Sequence, residues 1–164
     1  MMMSNFGLER ALSKAGIGLD RVPVGDRHVA ARMRETRAVL GGEQSGHVVL
    51  WWDGALVGDG LVAGVLAIEA ARRRGLSLAA CRAEVTRYPQ VLENVRVARR
   101  VPLAEAPLFL ARVREEEAAL SGTGRVVVRY SGTEPLLRIM VEGPDRAAVD
   151  AAVARLVAEA KRIV

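Results

Sequence analysis

The sequence predicts an α/β region followed by an α+β region, and three observations predict it. Residues 1–75 alternate helical and strand-like runs, as α/β domains do. Residues 88–164 read strand, helix, strand, strand, helix, which places helices on one face of a sheet. Ser77 to Val85 reads as a short connecting helix, so residues 76–87 are expected to link the two.

In the first region, Ser4 or Asn5 can cap a helix carrying Leu8, Leu12 and Ala15 on one face and ending at Gly16. Leu19 to Val24 reads as a short strand. Gly25-Asp26 opens a second helix with Val29 and Met33 four apart. Arg37 to Leu40 and His47 to Trp52 are strand-like, with the polar loop Gly41 to Gly46 between them. Asp59 caps a helix over Leu61 to Arg74, stopped by Gly75.

In the second region, Val91, Val95 and Val97 share one face of an extended segment. Ala106 to Leu120 is helical, with Phe109, Leu110, Val113 and Leu120 as its apolar stripe. Arg125 to Tyr130 and Leu136 to Glu142 read as strands. A last helix follows Pro144-Asp145, with Val149, Val153, Leu156, Ala160 and Ile163 at helical spacing.

Composition narrows the class. The chain has 164 residues, of which 51% are hydrophobic and 26% charged, a globular balance with enough length to bury a core. One cysteine, Cys81, excludes an intramolecular disulfide. The longest uncharged apolar stretch, Gly60 to Ile68, is too short to span a bilayer. Met1 to Phe6 carries no basic residue and no apolar core follows it, so no signal peptide is visible and a cytoplasmic location is expected. The net charge is +5, spread along both halves, and aromatics are only 4%. Nucleic-acid binding favours clustered charge with interleaved aromatics, so a nucleic-acid partner is not expected. The runs Arg72-Arg73-Arg74 and Arg99-Arg100 read as a helix end and a strand end rather than as a polyanion patch.

Two loops hold most of the chemistry. Gly42-Glu43-Gln44-Ser45-Gly46-His47 offers a carboxylate, a hydroxyl and an imidazole, a donor and acceptor set suited to sugar hydroxyls. In an extended segment Glu43, Ser45 and His47 would share a face. An ordinary hairpin loop with a surface glutamate accounts for the same residues. The second loop, Arg129-Tyr130-Ser131-Gly132-Thr133-Glu134-Pro135, joins two apolar strands. Arg129 can fork onto a phosphate, Ser131 and Thr133 supply hydroxyls, and the backbone near Gly132 can form an anion nest. A polar β-turn is the alternative. Arg138 leaves its strand opposite Leu137 and Ile139, either as a second charge for the loop or as a solvated residue.

Taken in order, Met3 to Leu8, Gly25-Asp26-Arg27, Gly42 to His47, Gly58-Asp59-Gly60 and Arg129 to Pro135 resemble the α-D-phosphohexomutase superfamily along essentially the whole chain. Gly-Glu-Gln-Ser-Gly-His together with Ser-Gly-Thr-Glu-Pro resembles its glucosamine branch. The resemblance implies a four-domain enzyme. This chain would supply a truncated α/β/α third domain over residues 1–75 and a fourth domain over 88–164, with a four-stranded antiparallel sheet and two helices. It implies sugar contacts from Glu43, Ser45 and His47, and phosphate contacts from Arg129, Ser131, Gly132 and Thr133. Asp26 and Arg27 match a family position near the cleft.

The resemblance further implies interconversion of glucosamine 6-phosphate and glucosamine 1-phosphate through a phosphoserine and a hexosamine bisphosphate intermediate. The phosphorylated serine and the magnesium-binding Asp-Gly-Asp-Gly-Asp run belong to the first and second domains, and neither pattern occurs here. An inactive C-terminal fragment is therefore expected, with domains 1 and 2 as its partners and some tendency to self-associate. A non-catalytic phosphosugar module and a fragment with mannose or glucose phosphate preference are the alternatives.

Overall fold

The computed structural model describes residues 3–163. The chain divides into two compact units, Met1–Arg87 and Tyr88–Val164.

In the first unit, α1 (Phe6–Lys14) starts where the Asn5 side chain accepts the Gly7 N–H. It ends before Gly16, whose φ of 71° breaks the helix. Gly7 has no room for a side chain, because an added Cβ would sit 1.8 Å from the Thr86 carbonyl oxygen. Helix α2 (Asp26–Thr36) buries Val29 and Met33. Strands β1 (Leu40–Gly42), β2 (Val48–Trp52) and β3 (Ala55–Val57) form an antiparallel sheet in that order. Helix α3 (Gly60–Arg73) is capped by Asp59, whose carboxylate accepts from Leu61 and Val62. Helix α4 (Leu78–Ala83) is capped by Ser77. Residues 76–87 thus lie within this unit's bounds.

Three local expectations change here. Leu19 to Val24 forms no strand, since it has no sheet partner among the described residues; Val22 packs instead on the Val29, Met33 and Val49 cluster. Arg37 is the left-handed end of α2, so β1 begins only at Leu40. β3 was not expected from the sequence. It follows a two-residue turn at Asp53-Gly54, both at positive φ (47° and 77°), the backbone a tight hairpin requires.

The second unit has β4 (Gln90–Arg96), α5 (Pro107–Ala119), β5 (Arg125–Tyr130), β6 (Leu136–Glu142) and α6 (Arg146–Ala160). Its sheet has three antiparallel strands in the order β4-β6-β5, not the four expected. The span between β4 and α5 carries Pro102 and a single 3-10 turn at Leu103–Glu105, so it offers no further ladder. Helices α5 and α6 pack on one sheet face. There Phe109, Leu137, Ile139, Val141, Val149 and Leu156 are sealed from solvent. Alternation sends Arg129, Arg138 and Met140 to the other face. Among the described residues, no helix is long and apolar enough to cross a membrane.

Candidate functional site

The first unit's loop is a tight turn. The Glu43 N–H donates to the His47 carbonyl at 2.8 Å, and the Gly46 N–H donates to the Glu43 carbonyl at 3.0 Å. Gly46 sits at φ 100°, which a side chain would strain. This turn, and not an extended run, brings Glu43, Ser45 and His47 together. Ser45 Oγ lies 3.1 Å from His47 Nδ1, and a Glu43 carboxylate oxygen lies 3.7 Å from the same nitrogen.

The three side chains differ in freedom. The Glu43 side chain is only 9% exposed, and its Oε1 accepts the Gly25 N–H at 2.8 Å. That bond ties the loop to the start of α2, where Asp26 and Arg27 are exposed. Asp26 accepts the Arg27 N–H at 2.7 Å, and Arg27 Nε approaches His28 Nε2 at 3.4 Å. His47 is 67% exposed, so its Nε2 edge is open to a ligand. Glu43, Gln44 and His47 line a cavity of about 900 Å³ whose other walls include Leu8, Leu12, Val22 and Met33. The role of Gly25 as a backbone anchor left no mark in the sequence beyond the glycine itself.

The second unit's loop is built differently. Its ends close through the Ser131 N–H to the Leu136 carbonyl and the Leu136 N–H to the Glu134 carbonyl, both at 2.8 Å. Ser131 is buried; its Oγ accepts the Glu134 N–H at 3.3 Å and lies 3.4 Å from a Glu134 carboxylate oxygen. The Ser131 hydroxyl is therefore already engaged inside the loop. Gly132 and Thr133 are exposed, and neither backbone N–H has a hydrogen-bond partner among the described residues. Nothing lies within 4 Å of the Cβ position of Gly132. The fold leaves that side open for close approach of a ligand to the backbone.

Arg129 and Arg138 stand opposite each other across β5 and β6. Arg138 is neutralised by Glu134, 2.6 Å away, so it is neither free nor simply solvated. Its buried Nε has no hydrogen-bond partner. Arg129 is partly buried, and its guanidinium makes no hydrogen bond or ion pair among the described residues. A partly buried guanidinium without a counter-ion, on the strand that leads into two open amides, favours an anion there. Glu134 was not anticipated as Arg138's partner, because a four-residue spacing signals a pair on a helix and not across a loop and a strand.

A magnesium site needs converging oxygen ligands. Among the described residues, no group of three or more His, Cys, Asp or Glu side chains could hold a metal ion. The described residues of this chain therefore offer no ligand set that fits the ion.

The family model described as phosphoglucomutase/phosphomannomutase, alpha/beta/alpha domain III matches residues 1–88. The model for the C-terminal domain of the same family matches residues 92–159. A phosphoglucosamine mutase from Solibacter usitatus is 47% identical over 88% of this chain and 32% of its own length. One from Koribacter versatilis is 44% identical over 88% of this chain and 31% of its own. The chain thus spans about a third of the length of these relatives. A crystal structure of the Aspergillus fumigatus N-acetylphosphoglucosamine mutase, in complex with GlcNAc-6P and magnesium, superposes with a TM-score of 0.78. It is 19% identical and covers 98% of this chain and 40% of that one.

Proposed function

Because the chain belongs to the phosphoglucomutase/phosphomannomutase family, we propose that it is the substrate-gripping part of a phosphoglucosamine mutase. The observation that carries this is the pair of unpartnered N–H groups at Gly132 and Thr133, in the loop that follows the strand bearing the unpaired Arg129 guanidinium. The names of the relatives, at 44% and 47% identity, support glucosamine phosphate as the substrate.

In this reading Arg129 and the two amides bind the phosphate that is not being transferred, with the Thr133 hydroxyl as a further donor. Ser131 holds the loop's shape, its hydroxyl engaged with Glu134, and reaches a phosphate only if that hydroxyl leaves Glu134. His47 and Ser45 meet sugar hydroxyls. Glu43 fixes the turn through Gly25 and presents its second oxygen, while Asp26 and Arg27 flank the same turn. Arg138, neutralised by Glu134, makes no direct contact in this reading.

Phosphoryl transfer depends on an in-line nucleophile, on neutralising the transferred charge and on positioning. This chain's residues supply the positioning, which lowers the entropic part of the barrier. The phosphoserine and the magnesium ligands belong to domains 1 and 2 of the same cytoplasmic enzyme, and the hexosamine bisphosphate intermediate would be held between them and the loops of this chain. The chain alone therefore turns over no substrate.

Calorimetric titration of the chain with glucosamine 6-phosphate tests the reading. Arg129→Ala should weaken binding by about 1.5–3 kcal/mol, the range for a charge-assisted hydrogen bond. Equal affinity in the variant removes Arg129 from the site. Binding of glucosamine as tight as that of its 6-phosphate removes the phosphate from the argument. Turnover by the purified chain would contradict the division of labour.

A further inference from the structure

The Gly132 loop is strapped from outside by the segment that follows β4. The Val97 N–H donates to the Pro135 carbonyl at 2.9 Å, and the Tyr130 hydroxyl donates to the Val101 carbonyl at 2.7 Å. Between these two points stands Arg100. Its Nη2 lies 2.6 Å from the Ser131 carbonyl oxygen, 3.4 Å from that of Gly132 and 3.3 Å from that of Glu134. One guanidinium nitrogen thus gathers three backbone carbonyls of a five-residue turn.

A planar trans peptide points its C=O and its N–H in opposite directions. The Ser131 carbonyl shares a peptide plane with the Gly132 N–H, and the Gly132 carbonyl shares one with the Thr133 N–H. Drawing both carbonyls to Arg100 therefore turns both N–H groups the other way, side by side. These are the two amides that have no partner of their own. Arg100 also covers the partial negative charge of carbonyls that would otherwise repel an approaching anion.

We infer that Arg100 is a positioning residue that presets the Gly132 and Thr133 amides as an oxyanion cradle without itself touching the ligand. The inference rests on the phosphate reading of this loop. Preset donors lose little orientational freedom when a ligand arrives, which is where their contribution to affinity originates.

The test compares Arg100→Ala, Arg100→Lys and Arg99→Ala in the full chain by amide NMR. Arg99 makes no hydrogen bond to the loop, so its variant removes the same charge without the strap. Without ligand, residual dipolar couplings report the directions of the Gly132 and Thr133 N–H vectors. The two vectors should share one direction in the wild type and in Arg99→Ala, and diverge in Arg100→Ala. Unchanged signals from β5 and β6 verify that the variant is folded. On titration with glucosamine 6-phosphate, Arg100→Ala should bind at least fivefold more weakly than Arg99→Ala. Arg100→Lys should recover part of the loss, because an ammonium can still donate to the carbonyls.

Equal losses in Arg100→Ala and Arg99→Ala would overturn the proposal and reduce Arg100 to a distant charge. Unchanged vectors in Arg100→Ala would overturn it independently. A wild-type chain whose Gly132 and Thr133 amides ignore the ligand defeats the phosphate reading instead, before any variant is made.

Discussion

The two loops stand on unequal foundations. The Gly132 loop grows from a sheet whose helical face joins a cluster of fourteen buried residues, from Val95 to Ala160. The Glu43 loop grows from a sheet whose buried cluster is Val29, Met33 and Val49. The first loop keeps its backbone donors open, because a strap and strand pairing hold it. The second spends its side chains on holding its place: Glu43 on Gly25 at the start of α2, and Ser45 on His47. A loop fastened by backbone and scaffold can reserve its backbone donors for a ligand, whereas a loop on a thin core commits its would-be ligand groups to keeping its shape.

The largest test of that contrast is Phe109→Ala. Phe109 is fully buried in the second unit, and truncating such a ring costs about 3–5 kcal/mol. Chemical denaturation followed by NMR should show the signals of the Gly132 loop lost at lower denaturant. Met33→Ala in the first unit should cost about 2 kcal/mol, the low end for a buried methionine, because its small cluster can collapse around the gap. Equal losses would erase the contrast between the foundations.

A smaller effect concerns the buried Glu116, paired with Arg155 through two 2.7 Å hydrogen bonds. Those bonds, above all, hold the Glu116 carboxyl below the usual carboxylate range, against the opposing effect of burial. A depressed folded value stabilises above the unfolded value and is lost as the pH falls through the folded one. Arg155→Ala should cost about 1–3 kcal/mol near neutral pH by leaving the carboxylate unpaired. It should also move the acid-unfolding midpoint of the second unit to higher pH, as read by circular dichroism. An unmoved midpoint would show that the pair does not couple to folding.

Smaller still, the exposed stripe Leu61, Val65 and Ile68 on α3 should promote self-association. Sedimentation of a triple serine variant should show less concentration dependence than the parent chain. Identical profiles would remove that stripe from the account.

What the sequence made legible follows from where the signals reside. Strands β5 and β6 run over the expected residues, because short apolar runs on either side of a polar turn define them locally. Helix α6 buries Val149, Val153, Leu156 and Ala160, as their spacing requires. Glu116 was missed as a core residue because its charge masked its place on the Phe109 and Val113 stripe. β3 was missed although Asp53-Gly54 is a hairpin signal, because three residues carry too little alternation to register. Arg100 was read as a strand end because its partners are carbonyls some thirty residues onward, and a carbonyl has no side-chain signature. The site residues could be nominated from the sequence. Which of their groups are already engaged required the coordinates, since hydrogen bonds such as Glu43 to Gly25 join distant backbone.

The most direct measurement is an amide NMR titration of the chain with glucosamine 6-phosphate at millimolar concentration. The account predicts the largest shifts at the N–H groups of Gly132 and Thr133, with weaker responses at Ser45 and His47. Shifts at the Glu43 loop with silence at Gly132 and Thr133 would contradict it, as would silence at both loops.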